Sequence, residues 1–129
     1  MSTKIVLEVK NIKSFLDFRK TDVITIADNT TVRIDRSTNK LTVKYHDTDI
    51  AEMNDKYIFV TNGGFHTRST KERINKILHD NDVYFYTRIF KGVHTLEDYN
   101  GYVTMPNIHT VLFIKEQNHW ELNWVKFDD

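Results

Sequence analysis

The sequence lacks cysteine altogether, and among its 129 residues it has one proline, Pro106, and four glycines. Without cysteine there is no disulfide, no zinc–thiolate or iron–sulfur site and no thiol nucleophile. No apolar run approaches the roughly 20 residues that a membrane-spanning helix needs. The opening residues MSTKIVLEVKNIK are too short and too charged for a signal peptide. We therefore expect a cytoplasmic protein that does not bind a membrane.

The chain also lacks net charge, because 18 acidic residues balance 18 basic ones. No overall field therefore attracts it to nucleic acid. No segment is rich in serine and glycine, and no repeat recurs at a fixed period. A single domain over residues 1–129 is predicted from this length. Charge is uneven only locally: residues 66–76 hold four cations and one acid, whereas residues 81–129 hold four cations and seven acids.

Alternating apolar residues predict that most of the chain forms β-strands. In KLTVKYHD, Leu41, Val43 and Tyr45 fall on one face of a strand, with polar residues between them. The turn residues RSTN join this strand to TTVRID, which predicts a hairpin. Further strands are predicted in DVITIA, IAEM, KYIFVTN, VYFYTRIF, IHTVLFIKE and HWELNWVKF.

Three expectations concern the C-terminal half. Trp120, Leu122 and Trp124 alternate along one predicted strand, so all three should point into the core. Residues 91–107 are the longest irregular stretch, which predicts a solvated crossover or a loop for partner contact. VYFYTRIF is apolar on both faces, as in a strand that is covered on both sides or contributes to an interface. A homodimer is therefore a further prediction.

Only two stretches have helical periodicity. NIKSFLDFRK, residues 11–20, predicts a short N-terminal helix. The stronger prediction covers about residues 69–80, where Ile74, Ile77 and Leu78 form an apolar stripe at helical spacing. The predicted fold class is α+β, with a mainly antiparallel, curved sheet and one well-defined helix packed on it.

The ends of the stronger helix have their own signals. Ser69 and Glu72 are three residues apart, which predicts a capping box at the N-terminus of the helix. Asn81 and Asp82 are predicted to end the helix. A helix N-terminus has backbone N–H groups without intrahelical partners, so it carries partial positive charge.

The stretch TNGGFHTRSTKERIN, residues 61–75, places a Gly-Gly pair and several cations just before and within this helix. A glycine turn that leads into a helix N-terminus is one way in which proteins hold anions. In the alternative reading, Gly63-Gly64 is only a turn, Phe65 fills the core, and the capping box satisfies the helix end. The residues predicted to bind a partner or an anion are Gly63, Gly64, Phe65, His66, Arg68, Lys71 and Arg73.

The same stretch resembles a motif in small accessory proteins of tailed phages. The motif runs approximately Gly-Gly-aromatic-x-Thr-x-Thr/Ser-Thr-Lys-x-Arg-Ile/Met-Asn after a short Thr-x-Ile/Val-Ala strand, and the resemblance covers roughly residues 45–90. It implies a phage origin, no enzyme mechanism, and binding to host machinery, including defence systems. The matching positions are Thr48, Ile50, Ala51, Gly63, Gly64, Phe65, Thr67, Ser69, Thr70, Lys71, Arg73, Ile74 and Asn75.

Catalytic and metal-binding signatures give no competing assignment. The sequence has no P-loop, no Gly-x-Ser-x-Gly elbow and no His-Glu-x-x-His. In YHDTD, His46 would lie opposite Asp47 and Asp49 on a strand, and Asp-Thr-Asp also occurs in ordinary turns. We therefore predict no catalytic residue, no metal site and no cofactor.

Together these observations predict a phage-encoded, non-enzymatic binding protein that acts in the host cytoplasm. It would occlude a host protein or nucleoprotein complex, such as a CRISPR-Cas defence complex. The alternative is a nucleic-acid or nucleotide binder that uses the basic helix N-terminus after Gly63-Gly64, with Phe65 stacked on a base.

Overall fold

The computed structural model describes residues 23–35 and 37–128, apart from the side chains of Ile24 and Ala27. The N-terminal helix predicted at residues 11–20 lies outside the described residues. The strands are β1 (Val23–Ala27), β2 (Thr30–Asp35), β3 (Lys40–Tyr45), β4 (Thr48–Met53), β5 (Tyr57–Thr61), β6 (Phe85–Phe90), β7 (Val93–Asp98), β8 (Thr104–Pro106), β9 (Ile108–Glu116) and β10 (His119–Phe127). The helix α1 spans Arg68–Asp80.

Two antiparallel sheets form the framework. Seven strands pair in the order β1-β2-β3-β4-β5-β9-β10, and β6, β7 and β8 pair in a second sheet. The first five strands form a meander, since each pairs with the next along the chain. Strand β9 then pairs with β5, so the second sheet and α1 are inserted between two neighbouring strands of the first. The predicted α+β class, mainly antiparallel with one well-defined helix, is confirmed.

The core lies between the larger sheet, α1 and the smaller sheet. Strand alternation predicts this placement, and Val32, Ile34, Leu41 and Val43 are all buried. From α1, the apolar stripe Ile74, Ile77 and Leu78 is buried, as the helical spacing predicts. Val111 and Phe113 from β9 and Leu96 from β7 complete the same apolar cluster. Among the described residues, no helix has both the length and the apolar character needed to cross a membrane.

Asn75 on α1 joins the helix to the smaller sheet. Its side-chain amide donates to the carbonyl of Thr87 (2.8 Å) and accepts from the Thr87 backbone N–H (2.7 Å). The side chain therefore occupies both backbone groups of one residue on β6, as a neighbouring strand would do. Asn75 therefore holds α1 and the smaller sheet together.

The predicted capping box at Ser69 is wrong. The N-cap of α1 is Thr67, whose hydroxyl accepts from the Thr70 backbone N–H at 3.3 Å. Glu72 instead accepts from the Arg68 side chain at 3.0 Å. Thr67 precedes Thr70 by three residues just as Ser69 precedes Glu72, so spacing alone did not distinguish the two positions. The helix ends at Asn81, as predicted.

The prediction that Trp124 faces the core is also wrong. Trp120 is 8% exposed and Leu122 is partly buried against the core, but Trp124 is 47% exposed. The pairing of β10 with β9 shifts by one residue between Leu122 and Trp124. This bulge reverses the alternation, so Val125 packs against the core instead.

Residues 91–107, predicted as a loop, mostly form strands β7 and β8. His94, Thr95 and Leu96 are consecutive and all buried, so β7 lacks the alternation that marks a half-buried strand. VYFYTRIF forms β6 from Phe85 onward, with Phe90 46% exposed on its second face. The predicted homodimer stays a prediction.

A candidate binding cleft at the Phe65 turn

A tight turn at residues 62–65, here called the Phe65 turn, connects β5 towards α1. The Phe65 backbone N–H donates to the Asn62 carbonyl at 2.9 Å, and Gly63 and Gly64 have φ of 63° and 88°. Two central residues with positive φ are typical of a type I′ turn, which glycine adopts without strain. A Cβ on Gly63 would lie 2.7 Å from Cγ2 of Thr48, so this position also requires glycine for space.

The backbone N–H groups of Gly63, Gly64 and Phe65 all have acceptors in residues 61 and 62. Gly63 donates to Oγ1 of Thr61 at 3.1 Å, and Gly64 donates to Oδ1 of Asn62 at 2.7 Å. Phe65 donates to the Asn62 carbonyl, as described above. An anion would have to displace these bonds before the turn could cradle it.

At the start of α1, the Thr67 hydroxyl caps the Thr70 N–H. The Thr67 carbonyl accepts the ordinary intrahelical bond from the Lys71 N–H at 3.0 Å. Ser69 does not cap the helix; its hydroxyl accepts from the Tyr45 hydroxyl at 3.0 Å and so links α1 to the end of β3. The helix N-terminus is therefore tied to its neighbours through hydroxyl groups.

The cations predicted for the site differ in what they contact. Arg68 pairs with Glu72 on the surface, with an Nε–Oε1 distance of 3.0 Å and 86% of its side chain exposed. Arg73 donates to the Thr30 hydroxyl (2.7 Å), the Ser69 carbonyl (3.0 Å) and the Asp28 carbonyl (3.2 Å). Its guanidinium also lies 3.9 Å from the centre of the Tyr45 ring. Arg73 thus fixes α1 to the β1–β2 turn.

Lys71 is the remaining predicted cation. Its side chain is half-buried, and among the described residues no carboxylate pairs with it. Its charge is felt by His94, where it contributes to a lowered histidine pKa. Of the predicted cations, Arg68 and Lys71 therefore carry charge in the first turn of α1 without being seen to join elements of the described structure.

His66 faces inward and bonds to two other parts of the chain. Its Nδ1 accepts the His94 backbone N–H at 2.8 Å, so the ring proton lies on Nε2. Nε2 then donates to Oδ2 of Asp128 at 2.8 Å. Both ring nitrogens are occupied, so His66 connects the segment after the Phe65 turn to β7 and to the end of β10.

Asn62 and His94 extend this network into the core. The Asn62 side-chain amide donates to the Ile108 carbonyl at 2.9 Å and lies 3.1 Å from Nδ1 of His94. His94 is fully buried, and its Nε2 has no hydrogen-bond partner among the described residues. Burial, together with the nearby His66 and Lys71, lowers the pKa of His94 to about 4. His94 is therefore neutral at physiological pH.

A cleft of about 410 Å³ opens beside the Phe65 turn. Phe65, 58% exposed, lies on its rim and presents an aromatic ring to solvent. Hydroxyl groups from both the sheet and the helix start line the cleft, beside the aromatic ring of Tyr45. The lining residues are Tyr45, His46, Asp47, Thr48, Ile50, Asn62, Phe65, Thr67, Ser69 and Thr70.

The YHDTD stretch contributes a turn to this cleft. Strand β3 ends at Tyr45, and His46 has φ of 53° in the connection to β4, which begins at Thr48. His46 therefore does not continue the strand alternation. Among the described residues, no group of three or more histidine, aspartate or glutamate side chains is placed to hold a metal ion.

A second cleft, of about 520 Å³, lies on the opposite face of β2–β5, and none of the predicted site residues line it. Its Glu52 accepts from the Tyr57 hydroxyl at 2.6 Å and pairs with Lys40 at 3.1 Å. The Tyr57 bond lowers the pKa of Glu52, and burial beside Glu52 raises the pKa of Tyr57 to about 12. These charges satisfy one another, so this face offers a weaker case for a ligand.

Comparison with known proteins identifies the chain's origin. A family model described as Kyanoviridae Gp96 protein matches residues 8–120. The chain belongs to this family. No curated protein and no solved structure matches the chain. Gp96 membership confirms the expected phage origin, in a family whose function is not established. The finer resemblance to tailed-phage accessory proteins stays a prediction.

In this Gp96-family chain, the structure divides the predicted site residues into two groups. Gly63, Gly64, His66 and Arg73 hold the turn and the helix in place through internal contacts. Phe65, Arg68 and Lys71 present side chains around the cleft or the helix start. The sequence analysis assigned no binding role to Asn62, Tyr45, His94 or Asp128. Of these four residues, only Asn62 had a local signal in the sequence, which is its position directly before the glycine pair.

Proposed function

We propose that the chain is a non-enzymatic phage protein that binds a host protein through Phe65 and the cleft beside it. The observation that carries this proposal is the exposure of Phe65, at 58%, on a turn whose backbone is held by internal hydrogen bonds. A large apolar side chain at the surface on a rigid support is typical of the anchor residues of protein interfaces.

The cleft suits a side chain that projects from a partner. Phe65 and Tyr45 provide aromatic contact, while the hydroxyls of Thr48 and Ser69 offer hydrogen bonds. Pockets that combine apolar surface with a few polar groups orient what they bind. Arg68 and Lys71, in the first turn of α1, would speed association with an acidic partner surface more than they would add affinity.

The chemistry of the Phe65 turn favours protein over nucleic acid as the partner. The turn amides are internally bonded, and Arg73 joins elements of the fold. Arg68 shares its charge with Glu72, so among the predicted cations Lys71 is the one that neither pairs with a carboxylate nor joins elements within the described residues. Nucleic-acid binding relies on several cations that neutralise phosphates, and this surface offers few.

The proposed biological role is occlusion of a host complex in the host cytoplasm, and a defence complex such as CRISPR-Cas is the proposed target. This role is consistent with the phage family of the chain. It requires only a stable surface that binds tightly, and no catalytic step.

Affinity purification from a lysate of the phage's host tests the proposal. Tagged unmodified protein, Phe65→Ala and the matched control Phe90→Ala would be used before and after nuclease treatment. Phe90 is a suitable control because it is also exposed, at 46%, but lies on the smaller sheet. We expect one host protein to be retained after nuclease treatment and reduced at least about tenfold by Phe65→Ala alone.

Two outcomes would contradict the proposal. Retention that Phe65→Ala and Phe90→Ala affect equally would show that the contact surface lies elsewhere. Retention that nuclease abolishes, with an affinity that falls steeply with salt, would favour the nucleic-acid alternative at the helix N-terminus.

A further inference from the structure

The end of the described chain is held close to the Phe65 turn. The Asp128 backbone N–H donates to the Asn107 carbonyl at 2.8 Å, and the Asp128 backbone carbonyl accepts from the Asn107 side-chain amide at 2.6 Å. Its carboxylate accepts the Nε2–H of His66 at 2.8 Å. Asp128 follows β10 directly, so its bond to His66 joins the C-terminal strand to the segment after the Phe65 turn. We call His66, His94 and Asp128 the histidine clasp.

The proton arrangement of the histidine clasp allows only one proton on His66. Nδ1 of His66 accepts the His94 backbone N–H, and the single ring proton on Nε2 goes to Asp128. A second proton, on Nδ1, would point towards that N–H at 2.8 Å and break the bond. The other acceptor nearby is Nδ1 of His94, at 3.2 Å. Protonation would therefore exchange a backbone bond for a bond between two rings.

Charged and titratable groups face His66 from three elements. The Asp128 carboxylate, after β10, lies 2.8 Å from its Nε2. His94 on β7 is buried and neutral, and Lys71 on α1 contributes positive charge to the same region. The ring is only 16% exposed, so solvent screens these interactions weakly. The clasp therefore depends on an ionised Asp128 and a singly protonated His66 together.

We propose that the histidine clasp is a proton-sensitive positioning device that holds the Phe65 turn in its binding geometry. This inference rests on the proposed function, since it assigns a regulation to the same surface. His66 directly follows Phe65 in the chain, so loss of its bond to the His94 backbone N–H, the bond that a second ring proton would break, releases one end of the turn from β7. His66 and Asp128 are positioning residues that do not themselves touch the partner.

The chain provides a matched control for the histidine clasp. His119 and Glu121 are also 2.8 Å apart, with more than half of each side chain exposed. Both residues lie on β10, two positions apart, so their bond joins no separate elements. Its removal changes a histidine–carboxylate contact of the same length without altering what holds the Phe65 turn.

Amide hydrogen exchange followed by NMR tests the proposal without a partner. The protection factor of the Phe65 amide, which is corrected for the intrinsic effect of pH on exchange, would be compared at pH 7.5 and 5.5. We expect Asp128→Asn to lower this protection about tenfold at pH 7.5, because it removes a charge-assisted hydrogen bond. Glu121→Gln should leave it unchanged. In the unmodified protein, protection should fall between the two pH values.

A second variant separates protonation from general loss of structure. His66→Gln lacks the ring that gains this proton, so the protection factor of its Phe65 amide should fall less between pH 7.5 and pH 5.5 than in the unmodified protein. The amides of Val60 and Phe113, which are buried in β5 and β9, should stay protected in every variant if the fold is intact.

The results distinguish this proposal from the proposed function. Equal protection of the Phe65 amide in Asp128→Asn and the unmodified protein at both pH values would overturn the histidine clasp. A fall in protection of the Phe65 amide in Glu121→Gln as large as that in Asp128→Asn would overturn it as well. If protection falls as expected but Phe65→Ala still binds every partner, the clasp stands and the proposed function fails.

Discussion

Two exposed phenylalanines lie beside two-residue turns of the same handedness, yet their surroundings differ. Phe65 follows Gly63 and Gly64, and Phe90 precedes a turn at Lys91 and Gly92, where φ is 52° and 81°. The ring of Phe90 lies within 4.9 Å of the Arg88 guanidinium and 5.4 Å of the Lys91 ammonium. Phe65 instead borders a cleft.

The difference extends beneath the two turns. Side chains of Thr61 and Asn62 accept the amides of the Phe65 turn, and the histidine clasp fixes the segment that follows. The turn after Phe90 closes an ordinary hairpin in which Phe90 pairs with Val93. Both turns therefore expose an aromatic ring. At the Phe65 turn, the backbone is also held by polar side chains beneath it, among them the buried Asn62. The following predictions test that contrast, from the largest effect to the smallest.

Asn62→Ala should lower the free energy of unfolding by about 3 kcal/mol, because the buried Ile108 carbonyl and the Gly64 N–H both lose a partner. Lys91→Ala at the other turn should change stability by less than about 0.5 kcal/mol, since the side chain is exposed. Urea denaturation of both variants measures the difference. Equal losses would show that the Phe65 turn has no special support.

Gly63→Ala should cost about 2–3 kcal/mol and Gly92→Ala about 1 kcal/mol. Both positions have positive φ, but only at Gly63 would the new methyl group meet another side chain, Thr48 at 2.7 Å. Around Gly92 there is open space. Thermal unfolding of the pair measures the steric part of the cost, and a larger loss for Gly92→Ala would contradict this account of the turn.

Acid should destabilise the buried support. The pKa of His94 is about 4 in the folded protein and about 6.5 when unfolded, so the unfolded chain binds more protons between these values. Stability should therefore be complete above pH 6.5 and fall with decreasing pH, by about 2 kcal/mol between pH 7.5 and pH 5. Denaturation series at several pH values measure this fall.

A variant assigns the pH effect to one histidine. His94→Gln should remove most of the pH-dependent loss, whereas His119→Gln, on the exposed surface, should retain it. An unchanged slope in His94→Gln would mean that the loss arises from other groups.

Thr67→Ala should cost about 1 kcal/mol through loss of the helix cap, and Ser69→Ala should cost less. Ser69→Ala removes a partly buried bond with the Tyr45 hydroxyl and a longer, exposed contact with the Thr67 hydroxyl, but no bond to a backbone N–H of the helix start. Chemical denaturation ranks the two variants. A greater loss of stability in Ser69→Ala than in Thr67→Ala would show that Ser69 caps the helix, as the sequence predicted.

Much of the fold followed from local patterns, because alternation and helical spacing reflect which face is buried. Val32, Ile34 and the stripe from Ile74 to Leu78 are buried as their spacing predicts. The errors arose where tertiary contacts override local rules. A bulge turned Trp124 outward, and β7 has three consecutive buried residues because it is packed on both faces.

The candidate site was predictable only in part. The glycine pair was identifiable because two consecutive glycines favour a turn with positive φ. Phe65 was identifiable because it lies between that pair and the predicted start of the helix. The inward orientation of His66 was not, since its partners His94 and Asp128 lie 28 and 62 residues away in sequence. Likewise, Arg73 was predicted to bind a partner, but Thr30 and Asp28, which accept two of its hydrogen bonds, lie 43 and 45 residues earlier.

The most direct test of protein binding through Phe65 is site-specific photo-crosslinking in infected host cells. A photoreactive phenylalanine analogue would replace Phe65 in one variant and Phe90 in another. We expect position 65 to form one prominent crosslink to a host protein, and position 90 to form none to that protein. A crosslink to nucleic acid at position 65, or to the host protein only at position 90, would contradict the account.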